Sequence, residues 1–415
     1  MNARPNHQKA GIWVMEICLI LVVLTLPFDI LLNSYSIALF SLVALFSNGL
    51  RLKWEHLNKN RSLCIWPIIY YIWLAFRLIW DKSPDRSTQI LETGFSLMVF
   101  PLIFGSIEKL NYLSVKRILI SFVFANIAGS FYCLWKAYLA YKESNYFNLL
   151  FYHHLSNHIG ISAIYFSMYC VFCIYILFYY FLIKKVKGWV RSIALLCIGY
   201  LNVFIMMLSS KTFIFILYLS ALIVIIYSFS YLRYRLSASV MLLLLIAIPF
   251  LLVKFPYIAA RVRDTQVKEY TGAADNQNGI AVRGVLWEST WHLVKEKPVA
   301  GWGHFSAGDA LQEEYLKNGF ADGVKERLNS HNQYLYTWLC YGVIGLAALS
   351  LFLSQLLIAF FQGKQFLGIC LVLMFIIANI TECMLEMHNG IVFFLFFSSL
   401  IVFHLPSLRV VKTEV

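Results

Sequence analysis

The feature that most limits what this chain can become is a succession of apolar runs about twenty residues long. Wound as a helix, a run of that length spans the hydrocarbon of a bilayer. Only an element that satisfies its own backbone hydrogen bonds can sit there. Runs centre near residues 21, 42, 72, 98, 128, 170, 199, 221, 244, 342, 373 and 398. Composition agrees: 60% of residues are hydrophobic, 13% are charged and the mean hydropathy is +0.71. Soluble domains are nearer half apolar and a quarter charged. The expectation is an all-α polytopic membrane protein of about 12 transmembrane helices. Spans one to nine fall in residues 1–254, a long, partly helical loop in 255–330, and spans ten to twelve in 331–415. The first run, from Ile12 to about Pro27, reads as a retained span rather than a cleaved signal.

The net charge of +13 raises nucleic acid as a partner, and the placement of the charges answers it. With the N-terminus inside, eighteen Lys and Arg fall in inner segments, among them Arg51, Lys53, Lys59, Arg61, Lys184, Lys185, Lys187 and Arg191. The short outer segments hold four: Lys82, Arg86, Lys142 and Lys211. That is the asymmetry of a membrane protein with both termini cytoplasmic, and no nucleic acid is needed to explain it. The nine cysteines lie almost all in apolar runs, so no disulfide framework is expected, and Cys170 and Cys173 read as small apolar helix residues.

The outer segment from Phe255 to Ser330 is too long for a simple connection, and such loops usually carry function. Within it Leu286, Trp287, Thr290, Trp291 and Val294 fall on one helical face, and Pro298 and Gly301 end the pattern. The Trp-bearing face suits the membrane interface or the top of the bundle.

Five places offer chemistry. Ser330 followed by Gln333 has the spacing of a capping box, which puts His331 at the first position of span ten. A helix start disfavours imidazolium and so favours the neutral ring a general base requires; the plain alternative is an interfacial histidine. Arg283, just before the Trp-bearing helix, has the setting and the fork geometry for phosphate, or is a solvated loop charge. Lys211 stands in the turn Ser209-Ser210-Lys211-Thr212 between two apolar runs; it either faces a cavity, with Ser210 and Thr212 as hydroxyl donors, or snorkels. Arg77 and Lys136 are weaker examples of the same kind. In the last outer loop Glu382, Glu386 and His388 either orient a base or bind a sugar hydroxyl, or form a solvated helix end. His153, His154 and His158 lack a third metal ligand at family spacing and read as sugar contacts or loop residues.

Signatures of nucleotide chemistry and the nucleophile elbow are absent from the sequence. A transporter would place ionisable groups near mid-membrane in repeated halves, whereas here they cluster at the outer face.

Taken in order, Arg283-Gly284-x-x-Trp287-Glu288, Lys297-Pro298-x-x-Gly301-Trp302-Gly303 and Ser330-His331-Asn332-x-Tyr334-Leu335 resemble the O-antigen ligase and polymerase superfamily, mainly over residues 205–345. The resemblance implies a periplasmic-face glycosyltransferase of the bacterial inner membrane. Its donor is an undecaprenyl-diphosphate-linked glycan, its acceptor a lipid A–core sugar, and membrane lipids surround it. His331 takes the place of the family's essential histidine and Arg283 that of the arginine engaging the diphosphate. Lys211 stands where many members carry Arg, keeping the charge without the fork. Ser210, Thr212, Asn332 and Glu382 are supporting candidates, with no metal and no cofactor called for. An O-antigen or exopolysaccharide polymerase, a protein O-oligosaccharyltransferase and a flippase are the alternatives. The absence of a large appended domain favours the ligase over the protein transferase.

Overall fold

The computed structural model describes residues 6–47, 49–79, 90–183, 186–229 and 279–405, and among these the chain is helical with no strand. The helices are α1 (Asn6–Thr25), α2 (Ile30–Ser47), α3 (Leu50–Leu78), α4 (Ser96–Ser106), α5 (Tyr112–Ser144), α6 (Tyr152–Ser156), α7 (Ala163–Leu177), α8 (Gly188–Leu208), α9 (Lys211–Phe229), α10 (Gly279–Glu296), α11 (His304–Lys317), α12 (Ala321–Lys325), α13 (Gln333–Gln362), α14 (Phe366–Thr381) and α15 (His388–His404). Every expected span centre within the described residues falls in a helix; the one near 244, with Arg233, Arg235 and loop residues 255–278, lies outside them. Among the described residues, five helical segments are long and apolar enough to cross a bilayer: Ile30–Ser47, Tyr112–Ser144, Ala163–Phe181, Gly188–Leu208 and Gln333–Gln362. Shorter apolar helices accompany them. The chain is a membrane protein built as a helical bundle.

Its centre is α15. Every residue from Gly390 to Ile401 is buried, as is every residue of α7 from Tyr165 to Leu177. A helix that is apolar all round belongs in an interior. Aromatic rings fill the space between: Phe122 of α5 lies 4.7 Å from Phe397 and 5.6 Å from Tyr169, and Phe396 meets Phe104 of α4 edge-on at 5.4 Å. The peripheral helices turn the other way. Leu31, Leu32, Leu39, Leu42, Leu45 and Phe46 of α2 are exposed, an apolar face that lipid covers. A buried polar side chain ties two of the helices together. Asn33 of α2 donates to Val22 O of α1 at 2.8 Å, and its Oδ1 lies 3.0 Å from His388 Nε2.

Helix α13 is broken at Gly342 (φ +69°, ψ −175°). The break frees backbone groups, and the segment 298–303 takes them up. Trp302 N donates to Leu339 O at 2.8 Å, Gly303 N to Cys340 O at 2.9 Å, and Val343 N to Pro298 O at 2.9 Å. The backbones come so close that a Cβ on Gly342 would stand 1.9 Å from Val299 O. This gives Pro298, Gly301 and Gly303 a structural reason: the motif is a patch on a broken helix. Tryptophans hold it, with Trp338 Nε1 donating to Pro298 O and Trp302 Nε1 to Leu293 O, both at 2.9 Å.

Helix α10 ends two residues before Pro298, close to where the sequence ends it, but its buried face differs from the expected one. Leu286, Ser289, Thr290, Leu293 and Val294 are buried, whereas Trp291 is exposed and meets Trp338 of α13 edge-on at 5.4 Å. The helix packs on α13 through small and aliphatic side chains, and the tryptophans line its edge.

Candidate functional site

Residues 329–333 do not form the expected capping box. The N-cap of α13 is Asn332, whose Oδ1 accepts from Tyr334 N at 3.0 Å and Leu335 N at 3.1 Å. Buried Ser330 donates through Oγ to Asn332 O at 2.9 Å. The Gln333 amide crosses to the 382–386 loop, accepting from Leu385 N at 2.8 Å and donating to Glu386 Oε1 at 3.2 Å. An Asn oxygen reaches the first free amides of a helix without help, and a fully buried Gln must bond wherever partners exist. His331 therefore lies outside the helix, ahead of the cap, in the left-handed region at φ +44°. Its N–H donates to Asn329 Oδ1 at 3.0 Å, an Asx turn that supports this backbone. The helix-dipole argument for a neutral ring does not apply there, because the dipole acts within the first turn.

What acts on His331 is Glu382. Its Oε2 is 3.0 Å from His331 Nδ1, and its Oε1 accepts from Arg283 Nη2 at 2.7 Å. An ionised carboxylate only accepts, so Nδ1 carries the hydrogen and the neutral ring keeps its lone pair on Nε2. Arg283 Nε also donates to Thr381 O at 3.2 Å, in the last turn of α14, where a carbonyl has no partner in its own helix. The sequence placed Arg283 just before the Trp-bearing helix. It is instead the fifth residue of α10, so the free amides at that helix start are not beside it. Glu382, only a supporting candidate in the sequence, is the residue that joins the arginine to the histidine.

Lys211 is the first residue of α9, and Ser209, in the left-handed region at φ +51°, caps the end of α8, so the turn is as tight as the sequence suggests. Thr212 Oγ1 lies 2.7 Å from Thr381 Oγ1, tying this turn to the end of α14. Ser210, Lys211, Thr212, Arg283, His331 and Glu382 line one cavity of about 390 Å³. Its cationic side combines Lys211 with the N-terminal turn of α9, which carries partial positive charge. Tyr152, His153, Asp322 and Glu326 line it as well. Sequence reasoning missed Tyr152 and the two acids, for α12 and its flanks carry no signal that separates them from other solvated loop residues.

Asn332, His388, Arg77 and Lys136 have structural partners. Asn332 is the helix cap and does not line the cavity. His388 bonds to Asn33, and Arg77 Nη2 donates to Gly301 O at 3.3 Å, steadying the patch on α13. Lys136 lies over the rings of Tyr132 and Trp135. His153 reaches the cavity and His154 is exposed; desolvation, with Lys136 nearby, lowers the pKa of half-buried His158. Burial pushes the Cys383 thiol, next to Ser330, well above its ordinary range, which leaves it inert as a nucleophile.

No curated protein matches the chain. Residues 193–350, from α8 into α13 and including Lys211, Arg283 and His331 but not Glu382, match the family model described as O-Antigen ligase, and over this stretch the chain is similar to that family.

Proposed function

We propose that the protein is an O-antigen ligase, transferring a polysaccharide from undecaprenyl diphosphate to a lipid A–core sugar at the periplasmic face of the bacterial inner membrane. In this reading twelve spans put both termini in the cytoplasm and the 255–330 loop in the periplasm. The observation that carries the chemistry is the chain of contacts from Arg283 through Glu382 to His331, on a cavity shared with Lys211.

The donor arrives with its leaving group attached, so the protein has two tasks. His331 Nε2 takes the proton from the acceptor hydroxyl as its oxygen bonds to the sugar C1. The C1–oxygen bond to the diphosphate breaks, and its electron pair stays on the leaving oxygen. Arg283, Lys211 and the N-terminal amides of α9 face the charge that develops there. Glu382 holds the imidazole in the tautomer that presents Nε2 and stabilises the imidazolium once the proton arrives. Single displacement inverts C1. Asp322 and Glu326, which also line the cavity, suit sugar hydroxyls rather than phosphate.

The test is a deletion strain complemented with wild type or His331→Ala. Loss of the whole lipopolysaccharide ladder with carrier-linked polymer accumulating, restored by wild type and not by the variant at equal protein level, is the expected result. A band of core plus a single repeat identifies a polymerase instead, and retention at C1 in the product excludes single displacement.

A further inference from the structure

A second cavity, of about 290 Å³, is lined in part by the same segment that carries His331. Along residues 326–331 the lining alternates: Glu326, Leu328 and His331 line the first cavity, Arg327 and Asn329 the second. One short segment thus lines both spaces, and Asn329 of the second accepts from the backbone N–H of His331 of the first at 3.0 Å.

The second cavity holds its own histidine and glutamate. Glu386 Oε1 accepts one bond, from Gln333 Nε2, and its Oε2 is 3.8 Å from His304 Nδ1, beyond hydrogen-bond length. The nearer neighbour of His304 Nδ1 is Tyr341 OH at 3.1 Å. The two side chains are 14% and 19% exposed, largely withdrawn from solvent. Glu382 has a short contact on each oxygen; Glu386 is left with acceptor capacity turned to a cavity. A carboxylate so withdrawn calls for donors. Buried Tyr70 and Tyr336 line the same space, and Arg327, ion-paired with Asp309 at 3.1 Å and largely exposed, stands at its lip.

Apolar ring faces around a few convergent polar groups make a small-ligand site. The negative charge of Glu386 disfavours a diphosphate and suits the hydroxyl donors of a neutral sugar, whose oxygens can in turn accept from His304. In a single displacement the nucleophile approaches opposite the leaving group, and the first cavity holds the cations for that group. We propose that the second cavity is a saccharide subsite for the acceptor, holding a neutral sugar residue adjoining the one that reacts, with Glu386 and His304 as its hydrogen-bonding pair. This rests on the transferase reading above.

The experiment uses the full chain in proteoliposomes, with carrier-linked glycan and lipid A–core purified from the deletion strain as donor and acceptor. In Glu386→Gln, where the new amide oxygen can still accept from Gln333, half-saturation by acceptor rises on the order of tenfold. Maximal rate and half-saturation by donor stay within twofold. His304→Gln behaves likewise and decides the question if Glu386→Gln does not fold. An unchanged acceptor dependence in either folded variant overturns the subsite, as does a matching shift in donor dependence. The function itself is judged separately, by wild-type transfer and its loss in His331→Ala.

Discussion

Glu382 takes two oppositely directed demands on one carboxylate: it accepts from Arg283 on one oxygen and from His331 on the other. Replacing it with Gln keeps the shape and removes the charge. The amide can then offer its N–H₂ to Nδ1, which favours the tautomer with hydrogen on Nε2 and no lone pair for the acceptor's proton. Glu382→Gln is expected to slow transfer on the order of a hundredfold or more, the usual worth of a general base, while half-saturation by donor changes little. Single-turnover rates in proteoliposomes check this; a rate near wild type would remove Glu382 from the mechanism. The sequence offered His331, Arg283, Lys211 and Glu382 as separate candidates but did not link them. The histidine and its carboxylate are 51 residues apart and the arginine 99 from the same carboxylate, so no local spacing records the contact.

At the scale of elements, the break in α13 organises what surrounds it. Helix, patch and tryptophans come together at Gly342, where φ is +69° and no Cβ fits. Gly342→Ala must pay for a left-handed backbone and a clash with Val299 O together, on the order of 3 kcal/mol. The expected outcome is a lower melting temperature and poor recovery of monodisperse protein from detergent. Normal yield and melting would show that the patch can move aside. From sequence the 297–303 motif was legible as a motif and as a helix end, but not as the covering of a broken helix. Periodicity reports which faces are apolar; it does not report a carbonyl left unpaired inside an apolar run. The expected capping box failed for a related reason. Ser330 and Gln333 had the spacing, but burial gave Gln333 better partners across the bundle, and Asn332 took the cap.

For the whole molecule, the proposed orientation is open to a direct test. Glu313 is exposed on α11, in the segment assigned to the periplasm, and Lys59 is exposed in the basic first half of α3, assigned to the cytoplasm. In a background without reactive native cysteines, a membrane-impermeant maleimide should label Glu313→Cys in intact spheroplasts and Lys59→Cys only after lysis. The reverse pattern would invert the topology and remove the periplasmic reading of the cavity.

The sequence by itself determined the class of molecule, because solvation by lipid depends on the length and apolarity of each run, and those are written locally. It also supplied the charge asymmetry, the order of the three motifs and the individual side chains that can do chemistry. Only the tertiary structure decided that His331 sits ahead of its helix in a strained turn, that Arg283 belongs to the body of α10, and that Glu382 lies between them. It alone brought His304 to Glu386, an acid the sequence had offered without that partner, in a second cavity. These are pairings across long stretches of chain, fixed by how helices pack and by where buried polar groups find partners, and a one-dimensional pattern holds neither.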